Sequence, residues 1–122
     1  MRAIVLTVLA AAFVAQTASA QGAADVIKGK SAFAVCAMCH SDLPGKNGIG
    51  PSLFGVVDRD AGSAPGFKYS TAMKAAGEWT PDRLDAFIAA PKTVVPGTSM
   101  PFGGLKDAGK RADIVAYLST LK

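Results

Sequence analysis

The chain has one histidine, His40, and two cysteines, Cys36 and Cys39. That scarcity argues against a structural zinc site. A structural zinc site takes four ligands. Only three thiol or imidazole ligands exist here, and no carboxylate is conspicuously placed as a fourth. Blocks of like charge are also missing. The 13 basic and 9 acidic residues are interleaved, with a formal charge of +4. Nucleic acid is therefore not an expected partner, and a modest positive patch that guides an acidic protein fits better. The apolar run from Ala3 to Val14 is too short to span a bilayer, and no other run is long enough, so stable membrane insertion is not expected. Sustained apolar–polar alternation, internal repeats and low-complexity tracts are absent, and no significant sheet is predicted.

The first twenty residues read as a secretory signal peptide. Arg2 supplies the positive start, Ala3 to Val14 the apolar core, and Ala18-Ser19-Ala20 a small-residue cleavage site before Gln21. An uncleaved anchor is the competing reading; the short apolar run and well-formed cleavage site argue against it. Residues 1–20 are thus assigned to the signal peptide and residues 21–122 to one soluble domain exported to the periplasm. About a hundred residues leave room for one core. A small core can be built around a large apolar cofactor.

The few special residues are concentrated in Cys36-Ala37-Met38-Cys39-His40, a C-x-x-C-H sequence. Two thiols at this spacing can each form a thioether to one porphyrin, and the following imidazole can bind its iron. Exported cysteine pairs also form disulfides, and C-x-x-C can close one. The histidine directly after the second cysteine is what favours haem over a disulfide or another metal.

Asp25 can cap a helix over residues 26–37, with Val26, Gly29, Phe33 and Cys36 on one face. Gly29 costs helix propensity, which makes sense if another helix crosses there. Ser41 to Gly55 is rich in breakers and reads as loop, as does the stretch from about Asp58 to Lys68. Ser70 to Ala76 can form a short helix. Thr80-Pro81-Asp82 is a helix start, with the helix ending at Pro91. The proline- and glycine-rich residues 91–106 predict no regular element. A last helix from near Asp107 presents Ile114, Tyr117, Leu118 and Leu121 at helical spacing, expected to pack on Gly29 and Phe33.

An iron bound by His40 has a sixth position that His, Met or Cys commonly fills. With no second histidine and both cysteines used, methionine remains. Met38 lies on the attachment side. Met73 sits on the short helix, where core packing is the simpler reading. Met100, in Pro96-Gly97-Thr98-Ser99-Met100-Pro101, can be presented by an irregular loop. Its competing role is gap filling, but its context and the elimination of rivals favour ligation. With both axial sites filled, oxygen or peroxide cannot readily bind. Thioether sulfur favours ferrous iron and raises the potential. Those are properties of an electron carrier.

From residue 25 onward the chain resembles class I c-type cytochromes, in particular short soluble bacterial cytochromes of the c2 kind. The ordered motifs are Gly29-Lys30-Ser31-Ala32-Phe33, Cys36 to His40, Gly50-Pro51-Ser52-Leu53-Phe54-Gly55, Pro65-Gly66-Phe67-Lys68-Tyr69-Ser70, Trp79, Pro91-Lys92, Pro96 to Phe102, and Arg111 to Leu118. The resemblance implies an all-α, single-domain cytochrome c fold of four to five helices, with long loops around one covalent haem c. It implies that Cys36 and Cys39 are the thioether cysteines and that His40 and Met100 are the axial iron ligands. The Pro51 carbonyl would orient His40. Arg59, Tyr69, Trp79 and Thr98 would satisfy the haem propionates. Phe102 resembles the aromatic that shields the methionine side. Two positions depart from the family. Phe87 stands where many members have a tyrosine that contacts the ligand methionine, and Ser99 stands where a lysine is common. Lys30, Lys46, Lys92 and Lys106 remain to form a positive ring.

These readings point to a non-enzymatic one-electron carrier. It would be a monomer docking transiently on a membrane cytochrome complex, an oxidase, a reaction centre or a periplasmic dehydrogenase. Its chain would be respiratory, photosynthetic or methanol-oxidising. A peroxidase or nitrogen-oxide reductase domain would need an open sixth position. A gas sensor or an oxidase module is the rival of the interaction class.

Overall fold

Local capping chemistry lays out the helices in the computed structural model, which describes residues 24–122. The expected signal peptide lies outside the described residues. Asp25 accepts hydrogen bonds from the backbone N–H groups of Ile27 and Lys28 at 2.9 and 3.0 Å, and starts α1, Val26–Ala32. The helix was expected to run to residue 37 but ends earlier. It tightens into a 3-10 turn over Phe33–Val35, where the Cys36 N–H reaches the Phe33 carbonyl at 2.8 Å. Such tightening satisfies carbonyls that an α-helix leaves unpaired at its end. The Cys36–His40 segment therefore follows the helix as a turn, closed by the His40 N–H on the Cys36 carbonyl at 2.9 Å.

Ser70 caps the short α2, Thr71–Lys74, through its hydroxyl on the Met73 N–H. Thr80 caps α3, Pro81–Ala89, accepting from the Arg83 N–H at 3.2 Å, with Pro81 in the first turn as expected. The expectation of no regular element in 91–106 fails at its start. Pro91–Val94 forms a one-turn helix, α4. Proline has no N–H to lose in a first turn, so it begins this helix as readily as it ends the preceding one. Asp107 caps α5, Ala108–Leu118, through the Lys110 N–H at 3.0 Å. Among the described residues there is no strand, only an isolated antiparallel bridge between Asp60 and Glu78. The architecture is all-α.

The first and last helices cross as expected. Gly29 is buried, and a Cβ there would collide with the Asp113 carbonyl oxygen. The Phe33 and Tyr117 rings pack at 5.5 Å between centroids. The Asp25 N–H donates to the Asp113 carboxylate at 2.8 Å, which closes the crossing. Val26 shares the face of Gly29 and Phe33 but is 41% exposed, because the crossing is centred one turn further along at Gly29. Behind it lies a core of Phe33, Trp79, Leu84, Phe87, Ile114 and Leu118. Gly29→Ala is expected to destabilise the protein by about 2–4 kcal/mol. The overpacking forces two backbones apart and outweighs the gain in helix propensity of about 1 kcal/mol. A lowered urea midpoint with an unchanged m-value would confirm it.

Candidate functional site

His40 emerges from its turn with an imidazole fixed on one side. Its Nδ1 lies 2.7 Å from the Pro51 carbonyl oxygen, so Nδ1 carries the proton and Nε2 keeps its lone pair. Burial pushes the His40 pKa down and favours the neutral ring a metal ligand needs, while the hydrogen bond to that carbonyl opposes the shift. Gly50 lies against the ring: a Cβ there would sit 2.5 Å from Cε1 and 2.6 Å from Nδ1. Only glycine leaves the imidazole this space.

Cys36 and Cys39 are half-buried free thiols, not a disulfide. Burial raises the Cys36 pKa, and Cys39 beside it adds to the rise. Next to them an open groove of about 630 Å³ is lined by Phe33, Ala37, Met38, Cys39, His40 and Leu43, among others. Met38 is 77% exposed, on the outside of the turn.

Met73 and Met100 are both half-buried against the core, so burial does not separate them. Their backbones do. Met73 lies within α2, whereas Met100 belongs to no helix, and its N–H donates to the Thr98 hydroxyl at 3.3 Å. The irregular segment is strapped down from outside. The Leu105 N–H reaches the Ile88 carbonyl at 2.8 Å, and Lys106 Nζ reaches that of Ala89 at 2.9 Å. Arg111 donates to the Leu105 and Lys106 carbonyls while pairing with Asp85 at 3.0 Å. These straps supply the support that its own ladder cannot.

The other expected site residues divide into two groups. Arg59 and Trp79 are brought together by the Trp79 N–H on the Arg59 carbonyl at 2.8 Å. Trp79 is buried, with its ring 4.8 Å from that of Phe87. Arg59 donates to the Phe54 and Ser52 carbonyls at 3.0 and 3.2 Å, but its Nε is buried without a partner. A buried cationic N–H left unpaired is expensive; an anionic group arriving there would satisfy it. Tyr69 instead uses its hydroxyl to accept from the Ala64 N–H at 3.1 Å, and Thr98 serves Met100 as described. Of the four lysines considered as a ring, Lys30 and Lys46 line the groove beside His40, while Lys92 and Lys106 flank a second cleft with Phe102.

Several supporting residues escaped the sequence reading. The Asn47 side chain accepts from the Ser52 N–H at 2.9 Å and donates to the Pro65 carbonyl at 2.8 Å. The buried Ser52 hydroxyl donates to the Leu43 carbonyl at 2.6 Å. Together they hold the loop that carries Pro51. Ser52 lies inside a motif already noted, which was the available signal. Asp42 gave none. It accepts a 2.5 Å hydrogen bond from the Tyr117 hydroxyl, 75 positions away. That bond, burial and the carboxylate's charge push the Tyr117 pKa up to about 12. A raised folded-state value means the stabilisation is complete below the unfolded pKa of about 10 and is lost as pH rises through the folded one. Stability should therefore fall between about pH 10 and 12, and Tyr117→Phe should flatten this part of the profile in denaturant titrations.

A neutral imidazole with a free Nε2, two free thiols, a cradle open only to glycine and an orphaned arginine N–H fit a covalently bound haem. The comparisons agree. The family model for cytochrome c matches residues 26–122. The chain is 50% identical over 100 residues to a cytochrome c2 of Rhodopila globiformis, covering 80% of this chain and 94% of the relative. It is 47% identical over 122 residues to a cytochrome c2 of Rhodomicrobium vannielii, covering 98% and 97%. The solved structure of cytochrome cH from Methylobacterium extorquens superposes with a TM-score of 0.74 at 46% identity, over 79% of this chain and 98% of that one. With sequence match, fold and donor set in agreement, the chain belongs to the cytochrome c family, electron carriers rather than enzymes, each with one covalently bound haem c and its iron.

Proposed function

We propose that this protein is a soluble carrier that moves one electron at a time between redox partners in the periplasm, after removal of residues 1–20. Cys36 and Cys39 hold the haem by thioether bonds, and His40 and Met100 are its axial ligands. The bound haem supplies the one-electron ferric/ferrous couple. The 2.7 Å contact between His40 Nδ1 and the Pro51 carbonyl carries this reading, because it leaves Nε2 unprotonated, one residue after the second of two free thiols. Pro51 keeps the imidazole oriented and electron-rich. Arg59 and Trp79, with Tyr69 and Thr98, take the propionate side; the orphaned Arg59 Nε supports that assignment. The apolar core excludes water, so little has to rearrange when charge changes. Among the described residues no helix is long and apolar enough to cross a membrane. The partners are a membrane cytochrome complex, an oxidase, a reaction centre or a periplasmic dehydrogenase of a respiratory, photosynthetic or methanol-oxidising chain, met as a monomer.

A spectroelectrochemical titration of the mature holoprotein tests the reading. One haem per chain and a single reversible one-electron wave are expected. Absence of a reversible wave, or consumption of peroxide at an enzymatic rate, would overturn it.

A further inference from the structure

The segment that follows His40 is tied mainly to its own neighbourhood. The Leu53 N–H reaches the Ser41 carbonyl, Ser52 reaches the Leu43 carbonyl, and the Gly50 N–H reaches the Cys39 carbonyl. Asn47 reaches Pro65. The one side chain of residues 41–50 seen to bond a helix is Asp42, through Tyr117 of α5. Tyr117 is itself fixed: it is buried, its ring packs on Phe33, and its Cβ faces Gly29 at the helix crossing. Its hydroxyl therefore stands at a set point, and the loop is brought to it.

A buried phenol needs a partner, but a neutral oxygen would serve. Here the acceptor is a carboxylate, two residues beyond His40 and half-buried. A hydrogen bond to a charged acceptor is stronger than a neutral one, and it also draws charge off that acceptor. A partly buried negative charge acts on its surroundings far more than one in water. We propose that Asp42 and Tyr117 form a charge-setting pair on the histidine side of the site: the Asp42 carboxylate favours the oxidised, more positive iron, and the Tyr117 hydroxyl moderates that charge and holds it in place. Both are positioning and tuning residues, since neither touches the iron. The proposal rests on His40 being an axial ligand.

The two partners make opposite predictions. Asp42→Asn removes the charge but keeps an oxygen that can accept from Tyr117, and should raise the midpoint potential. Tyr117→Phe removes the donor and leaves the carboxylate uncompensated, and should lower it. Both shifts should shrink as ionic strength rises, because screening acts on charge and not on a displaced ligand. The experiment is a redox titration of the wild-type and two variant holoproteins at low and high salt. Opposite shifts that weaken with salt are the expected result. Shifts of one sign in both variants, salt-independent shifts, no shift in either, or loss of haem uptake in both would overturn the pair's tuning role. If one variant fails to take up haem, the sign and salt response of the other decide. A wild-type protein without a one-electron wave would instead overturn the carrier reading on which the pair depends.

Discussion

Replacing Cys36 and Cys39 together with alanine is expected to abolish covalent haem entirely. Denaturing gels stained for haem peroxidase activity should show no band for the variant, at a protein level where the wild type stains strongly. Nothing else in the chain can form such a bond, because these are its only thiols. Both stand free and half-buried on the turn that leads to His40. The loss should extend beyond staining. The core of a chain this small is limited, and a bound cofactor stabilises the folded state by mass action. A chain without its thioether anchors should unfold at lower urea, and a retained stain would remove the basis of the site assignment.

The second large effect is expected from Met100→Ala. The haem should remain covalently attached, while the ferric spectrum changes to that of a weak-field or water-ligated iron and the potential falls with loss of the thioether. The comparison that matters is Met73→Ala. Met73 is as well packed as Met100, so its removal should cost stability through a cavity and leave the ferric spectrum unchanged. If Met73→Ala produced the spectral change instead, the ligand assignment would move to α2. Phe87 bears on the same point. Its ring packs on Trp79 and offers no hydroxyl to the methionine, so Met100 is positioned by its packing against the core and its bond to Thr98, in a segment strapped down further along at Leu105 and Lys106.

The helix starts were legible because capping is local chemistry. Asp25, Ser70, Thr80 and Asp107 each bond an N–H two or three residues away, so residue identity and spacing suffice. The crossing of α1 and α5 was legible for a different reason: a glycine in a helix is costly unless a neighbour comes close, and at Gly29 one does. Elements that depend on tertiary context were not. The early tightening of α1 at Phe33 and the single turn at Pro91–Val94 carry no periodicity long enough to read. In the site, the thiols and His40 announce themselves by spacing. The Pro51 contact followed from resemblance alone, since any backbone carbonyl looks like any other in a sequence. Asp42 with Tyr117, Asn47 with Pro65, and Arg111 with Asp85 join positions 75, 18 and 26 residues apart, and only the folded chain brings them together.

The proposed ligands, His40 and Met100, would leave the iron closed and six-coordinate. Carbon monoxide binding to the dithionite-reduced holoprotein at neutral pH tests it most directly. The wild type should show no significant spectral change on mixing, and the carbon monoxide adduct should form fully and rapidly once Met100 is replaced by alanine. Rapid, complete binding to the wild type would contradict it.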